Sequence, residues 1–173
     1  MTPNESLARW NALFAEDAVR EILPCCGSQT WAEKLAAQRP FPTPESLFGA
    51  SDAIWLALPE TDWQQAFDSH PRIGQRHAQA ATAQSLSWSS WEQSAVTSSP
   101  DDAAKHAFAE GNRVYEAKFG RIFLICASGK STGEILDLLR TRMGNTPVQE
   151  LHEAAEQQRQ ITQLRLRRWL GSA

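Results

Sequence analysis

Ile122-Phe123-Leu124-Ile125-Cys126-Ala127 is the stretch on which the fold class turns. An unbroken apolar run of this length reads, by itself, as a buried strand. A strand needs a neighbour for its backbone hydrogen bonds, and the chain carries no second strong strand signal. The run is therefore expected to be a helix end or an extended segment buried between helices. Helical periodicity and capping signals surround it on both sides. The expectation is an all-α fold, a single domain over 1–173, with about eight to nine helices and a buried extended segment near 122–127.

Working outward, Asp101 to Phe119 is expected to be one long helix. Ala104, Phe108, Tyr115 and Phe119 recur on it at roughly helical spacing, and Gly120 ends it. Ser131-Thr132-Gly133-Glu134 is a capping box. Thr146-Pro147-Val148-Gln149 is another, opening a final helix to about Leu170. In the first half, Asn4 is expected to cap a stripe of Leu7, Trp10, Leu13 and Phe14. Asp17 starts a short helix that stops at Pro24, and Ser28 caps the segment from Trp31 to Leu35. Arg39-Pro40-Phe41-Pro42 cannot be helical and reads as a rigid connector. Thr43-Pro44 opens a helix with Leu47, Ala50, Ile54 and Leu58 inward. Pro59 to Ser69 is the next, with Trp63 and Phe67 inward. Ser87 to Val96 follows, with Trp88, Trp91 and Ala95 on one side.

The 173 residues suit one domain, and 42% are apolar, including seven tryptophans. Seventeen basic residues against twenty acidic ones give a net charge of -3, which leaves no footprint for nucleic acid. No apolar run approaches the ~20 residues of a membrane span. The first residues lack the regions of a signal peptide, and the last ones are not a peroxisomal address. Three cysteines, two of them adjacent, make no disulfide framework. The expected setting is the cytoplasm.

Chemistry is most readable at Asp68-Ser69-His70-Pro71-Arg72-Ile73-Gly74. Histidine exchanges protons near neutral pH. Pro71 biases His70 toward extended backbone, and Gly74 tolerates positive φ. His70 is thus expected on a constrained turn at a helix end, as a general acid or base or else as an ordinary turn residue. Glu92 is flanked by Trp88 and Trp91, so its carboxylate is either partly buried or on a solvated helix face. Asn112, Tyr115 and Lys118 are polar positions on the long helix, where most such residues are exposed. Arg165, with Arg167 and Arg168, either meets the negative end of the helix dipole or supplies a fork of donors for a substrate. His70 and His77 with Glu92 as metal ligands would make a metal hydrolase, although the spacing matches no trusted zinc pattern. His106 and His152 stand isolated on helices, and Cys126 reads as core. Gly129-Lys130-Ser131-Thr132 fails as a phosphate loop because Leu124 occupies the position of its first glycine.

The ordered series resembles the 2-oxo-4-hydroxy-4-carboxy-5-ureidoimidazoline (OHCU) decarboxylases. The resemblance is carried by Cys25-Cys26-Gly27-Ser28 with Trp31, Arg39-Pro40-Phe41, His70 to Gly74, and Ser89 before Glu92-Gln93. It continues through Asn112, Tyr115, Lys118-Phe119-Gly120, the 122–127 run and Gly129. It closes with Arg142, Asn145, Glu150, Ile161 and Leu164-Arg165-Leu166. It implies an all-α homodimer that decarboxylates its substrate, with (S)-allantoin as product, using no metal and no organic cofactor. By position, His70 is the implied catalytic histidine, with Glu92 and Arg165 as its polar partners. Pro71, Ser89, Gln93 and the backbone at Phe123, Ile125 and Ala127 are implied to hold the substrate. Ser94-Ala95-Val96 departs from the glycine that the family often has there. The competing reading from another class is a non-catalytic helical interaction module.

Overall fold

The computed structural model describes residues 2–74, 83–94 and 101–171. Among them there are nine α-helices, one 3₁₀ turn and no strand. The helices are α1 (Pro3–Asn11), α2 (Ala15–Ile22), α3 (Gln29–Ala37), α4 (Pro44–Leu56), α5 (Glu60–Asp68), α6 (Ala83–Glu92), α7 (Asp102–Phe119), α8 (Thr132–Arg142) and α9 (Pro147–Leu170). The chain divides into two compact units, residues 1–66 with 159–173, and residues 67–158.

Most helix starts lie where the side chains can serve their free N–H groups. Ser28 accepts from the N–H of Trp31, Thr43 from that of Ser46, and Ser131 from that of Glu134. Thr146 and Gln149 exchange the reciprocal pair of a capping box at 2.9 and 3.3 Å. Gly120 closes α7 in the left-handed region, φ 68°. Four expectations are corrected. The cap of α1 is Thr2, boxed with Glu5, because Pro3 takes the first helical position ahead of Asn4. That helix ends at Asn11, so Phe14 leaves the expected stripe and is 84% exposed. The second helix begins at Ala15 rather than Asp17, and Pro24 sits inside the 3₁₀ turn Leu23–Cys25. The sixth runs over Ala83–Glu92, earlier than expected, while Ala95 and Val96 lie outside the described residues.

In the first unit, tryptophans supply much of the core, and three of their indoles donate to backbone carbonyls. Trp10 Nε1 donates to Ala18 O at 3.0 Å, and its ring meets Trp169 edge-on and stacks on Phe41. Trp31 Nε1 donates to Ser51 O at 3.4 Å and Trp63 Nε1 to Trp55 O at 3.0 Å. The Arg39-Pro40-Phe41 connector is non-helical, as expected, and it is bolted down. Arg39 donates to Ala36 O (2.9 Å), Trp10 O (2.6 Å) and Leu13 O (3.0 Å), with its guanidinium over the Trp10 ring. Asn11 exchanges two bonds with the backbone of Phe41. One half-buried side chain thus satisfies carbonyls left over at the ends of two helices.

The second unit packs α7 against α8. Its core is Ile73, Phe108, Tyr115, Phe119, Phe123, Ile125, Ala127, Ile135 and Leu139. Gly111 lets the two helices approach, since a Cβ there would lie 2.4 Å from Leu139 Cδ2. The 122–127 run enters this core without forming a strand.

Replacing Arg39 by alanine removes three charge-assisted bonds at once. The expected loss is ~2–3 kcal/mol, with Arg39→Lys recovering less than half of it. Urea unfolding measures both; a change within ~0.5 kcal/mol, the surface-residue scale, would contradict the assignment.

Candidate active site

The turn after α5 is held at nearly every residue. His70 N–H donates back to Phe67 O at 3.1 Å, ending the helix. Pro71 forbids its continuation. The His70 side chain is buried, with Nε2 2.8 Å from Gln158 Oε1. Arg72 forms a two-pronged pair with Glu116 at 2.5 and 2.8 Å. Ile73 O accepts from Asn112 Nδ2 at 3.1 Å, and its side chain enters the core. Gly74, with φ 83°, donates its N–H to Gln93 Oε1 at 3.1 Å. The constrained turn expected from sequence is present, and it is far more restrained than Pro71 and Gly74 alone require.

No local sequence signal marks Gln158. It lies in Glu156-Gln157-Gln158-Arg159-Gln160, which reads as a solvated helix face, yet it is fully buried. The contact between its Oε1 and His70 Nε2 fixes how the ring presents itself.

Glu92 is the last residue of α6 and is buried, as are Ser85, Trp88 and Ser89. These four recur at i, i+3, i+4 and i+7 and form one face. The expected tryptophan pair is corrected: Trp91 falls outside that face and is 56% exposed. Glu92 therefore shares its face with two serines and one tryptophan. Gln93 continues the turn, donating its N–H to Ser89 O at 3.0 Å. His70, Pro71, Ser89, Glu92 and Gln93 are all buried in the second unit, and the Gly74–Gln93 bond joins the His70 turn to the end of α6.

Phe123, Ile125 and Ala127 all enter one core cluster. That alternation is the mark of extended chain. The backbone between them is tethered from outside. Leu124 O accepts from Arg142 Nη1 at 2.7 Å, Cys126 N–H donates to Gln157 Oε1 at 2.9 Å, and Cys126 O accepts from Lys130 Nζ at 2.9 Å. Arg142 is in turn paired with Glu150 at 2.5 and 2.9 Å, where Asn145 and the Tyr115 hydroxyl also donate. Burial, reinforced by the carboxylate, raises the Tyr115 hydroxyl well above the ordinary range. Asn112 and Tyr115 are thus buried contrary to expectation, whereas Lys118 is exposed and donates to Met143 O and Asn145 O.

Arg165 belongs to the first unit. It is fully buried and donates to Pro24 O at 3.3 Å, so the surface dipole reading does not hold for it. Arg167 is exposed and covers the Phe48 ring. Arg165 also lies close enough to Cys26 to favour its thiolate, but burial dominates and pushes that thiol up to about 12. Cys25, Cys26 and Cys126 carry free thiols. A 570 Å³ cavity between α2 and α3, floored by Val19, Leu23 and Ala36, contains none of the expected site residues. His77 lies outside the described residues. Among those described, no three His, Cys, Asp or Glu side chains are grouped to hold a metal.

Fold and turn together define an all-α protein built to hold one histidine out of bulk water at a helix end. The chain belongs to the OHCU decarboxylase family, whose model matches residues 11–167. It is 37% identical over 142 residues to the "Uric acid degradation bifunctional protein TTL" of Arabidopsis thaliana, covering 82% of this chain and 44% of that protein. It therefore spans less than half the length of that relative. It is 30% identical over 149 residues to the 2-oxo-4-hydroxy-4-carboxy-5-ureidoimidazoline decarboxylase of Amia calva, covering 86% and 81%. An OHCU decarboxylase solved in the presence of (S)-allantoin superposes with a TM-score of 0.75 at 35% identity, over 87% of this chain and 97% of that one. An (S)-allantoin synthase at 18% identity, TM-score 0.70, covering 94% and 53%, shares the fold.

Gln158→Leu removes the amide bonded to a buried ring nitrogen of His70. A loss of ~1–3 kcal/mol is expected in urea unfolding, along with a shift in the imidazole ¹⁵N resonances of His70. Unchanged resonances would dissociate Gln158 from the ring.

Proposed function

We propose that this chain decarboxylates 2-oxo-4-hydroxy-4-carboxy-5-ureidoimidazoline to (S)-allantoin in urate degradation, without metal or organic cofactor. The observation that carries this is a buried histidine on a turn fixed by four side chains, in a chain matched to the family over residues 11–167. Both compact units are proposed to work as one domain, since the matched span includes parts of each.

The substrate's reacting carbon carries a carboxylate and a hydroxyl beside a ring C=N. When CO₂ leaves, its bonding pair moves into that C=N, so the substrate is its own electron sink. Pyridoxal and thiamine supply such a sink elsewhere. The protein's task reduces to orientation, proton handling and protonation of one face. His70 takes the proton work. Glu92 holds His70 or the ureido N–H groups. Arg165 contacts a ring or ureido oxygen in preference to the carboxylate, because tight ground-state binding of the carboxylate would oppose its loss. Its full burial, with one bond to Pro24 O, supports a role for Arg165 other than that of a surface charge. Pro71, Ser89, Gln93 and the backbone at Phe123, Ile125 and Ala127 bind the ring. Burial of all these residues supports their role, since a dry site strengthens each polar contact. A homodimer working in the cytoplasm completes the proposal. Free thiols at Cys25, Cys26 and Cys126, the first two buried, are consistent with that compartment, and no helix among the described residues is long and apolar enough to cross a membrane.

The test is OHCU generated in situ, with chiral allantoin followed by circular dichroism. The protein accelerates formation of the (S) form, and His70→Asn, still folded, loses ~10²-fold or more. Glu92→Gln and Arg165→Lys are impaired while remaining folded, the latter because the planar fork is gone. Near wild-type turnover by folded His70→Asn overturns the mechanism, and light scattering that finds a monomer at tens of micromolar overturns the dimer.

A further inference from the structure

Ile125, like Phe123, carries a buried main chain with no hydrogen-bond partner among the described residues. Ile125 itself is 5% exposed. Buried main-chain groups are nearly always paired with protein, water or ligand. The other half of each flanking peptide is paired. Leu124 O is held by Arg142 and Cys126 N–H by Gln157.

Peptide planarity gives these two bonds a consequence. Leu124 C=O and Ile125 N–H belong to one rigid plane and point in opposite directions. Cys126 N–H and Ile125 C=O belong to the next plane and do the same. Fixing Leu124 O thus aims the Ile125 N–H, and fixing Cys126 N–H aims the Ile125 C=O. In extended chain both groups of one residue emerge on the same edge, as in the paired residues of an antiparallel ladder. The result is a preset donor–acceptor pair. Its complement is a ring edge carrying an adjacent N–H and C=O, the pattern of a cyclic amide or ureide.

We propose that Arg142 and Gln157 are positioning residues for the substrate ring: they clamp the peptide planes flanking Ile125 so that its N–H and C=O stay aimed at the ring amide. This rests on the function proposed above. Both clamps are themselves held. Arg142 is paired with the fully buried Glu150, and its guanidinium lies 4.7 Å from the centroid of the Phe123 ring. Gln157 donates to Glu153 Oε1 at 2.9 Å. Neither needs to touch the substrate.

Arg142→Lys preserves the charge for Glu150 but cannot also reach Leu124 O with a second planar arm. Gln157→Leu releases the other plane with less disturbance, since Gln157 is only half-buried. Ring contacts made equally in the ground and transition states appear in KM. Each variant is expected to raise KM by about tenfold, the scale of one lost hydrogen bond, with kcat within about threefold. Calorimetric binding of (S)-allantoin should weaken by a similar factor. Tyr115→Phe is the control: it removes a bond to Glu150 without touching either plane, and should lower the melting temperature while leaving KM within about twofold. A folded Arg142→Lys or Gln157→Leu with wild-type KM and wild-type allantoin affinity overturns the clamp and leaves the function standing. A Tyr115→Phe whose KM rises as much as the others also overturns it, because the effect would then follow stability alone. If Arg142→Lys does not fold, Gln157→Leu decides. Absence of turnover by the wild-type protein overturns the function and the clamp together.

Discussion

The second unit depends on one buried ion pair, Arg142 with Glu150. Removing two charges from water is expensive, and their mutual attraction alone rarely offsets it. Here the remaining lone pairs and protons are also satisfied. Glu150 accepts from both Arg142 nitrogens, from Asn145 and from Tyr115. Arg142 spends its other arm on Leu124 O and its face on Phe123. The pair therefore anchors the 122–127 segment at Leu124 O, where a sheet would use a neighbouring strand. It accounts for an apolar run entering an all-α core without a second strand.

The His70 turn follows the same logic at smaller scale. A loop of five residues has many conformations, and each residue fixed takes about 1–2 kcal/mol of backbone entropy. Four side chains, from α7, α9 and the turn after α6, divide that restraint: Gln158, Glu116, Asn112 and Gln93. Three of the four are neutral. Amides hold a position without adding a charge to the turn. Glu116 is directed at Arg72, where its charge is matched.

What was legible in the sequence is what local chain physics determines. The boxes at Ser131 and Thr146, the cap at Ser28, the proline start at Pro44 and the stop at Gly120 each depend on residues within one turn. So does the reading of Pro71 and Gly74 around His70. Errors arose where a neighbour changed the local choice: Pro3 moved the first cap to Thr2, and the early end of α1 put Phe14 in solvent. The Trp88–Trp91 pairing failed because a three-residue step leaves the second ring at the edge of a face already filled by Ser85, Ser89 and Glu92. Gln158, Asn112 and the Arg142–Glu150 pair were invisible as functional or structural centres for a different reason. Their partners lie 88, 39 and 8 positions away, and nothing in a polar helical residue announces which carbonyl or ring it will meet. The resemblance marked Arg142, Asn112 and Glu150 as positions without supplying their role.

Under the proposed function, the distribution of restraint matches the demands of the chemistry. A substrate with its own electron sink needs no cofactor to absorb the departing pair, so the protein has no reason to build a large prosthetic site. It needs the leaving CO₂ aligned with the ring π-system and one face open to a proton. Alignment fails with small angular errors, and a mobile loop would spread the geometry over many unproductive arrangements. Loops usually carry function at the expense of precision. This chain keeps its histidine on a turn, yet supports it with side chains rooted in or next to helices. It places the candidate ring-binding backbone in a core segment where each peptide plane flanking Ile125 is bonded to a helix side chain. Rigid placement is thus built from long-range hydrogen bonds, in the part of the structure that a single sequence reveals least.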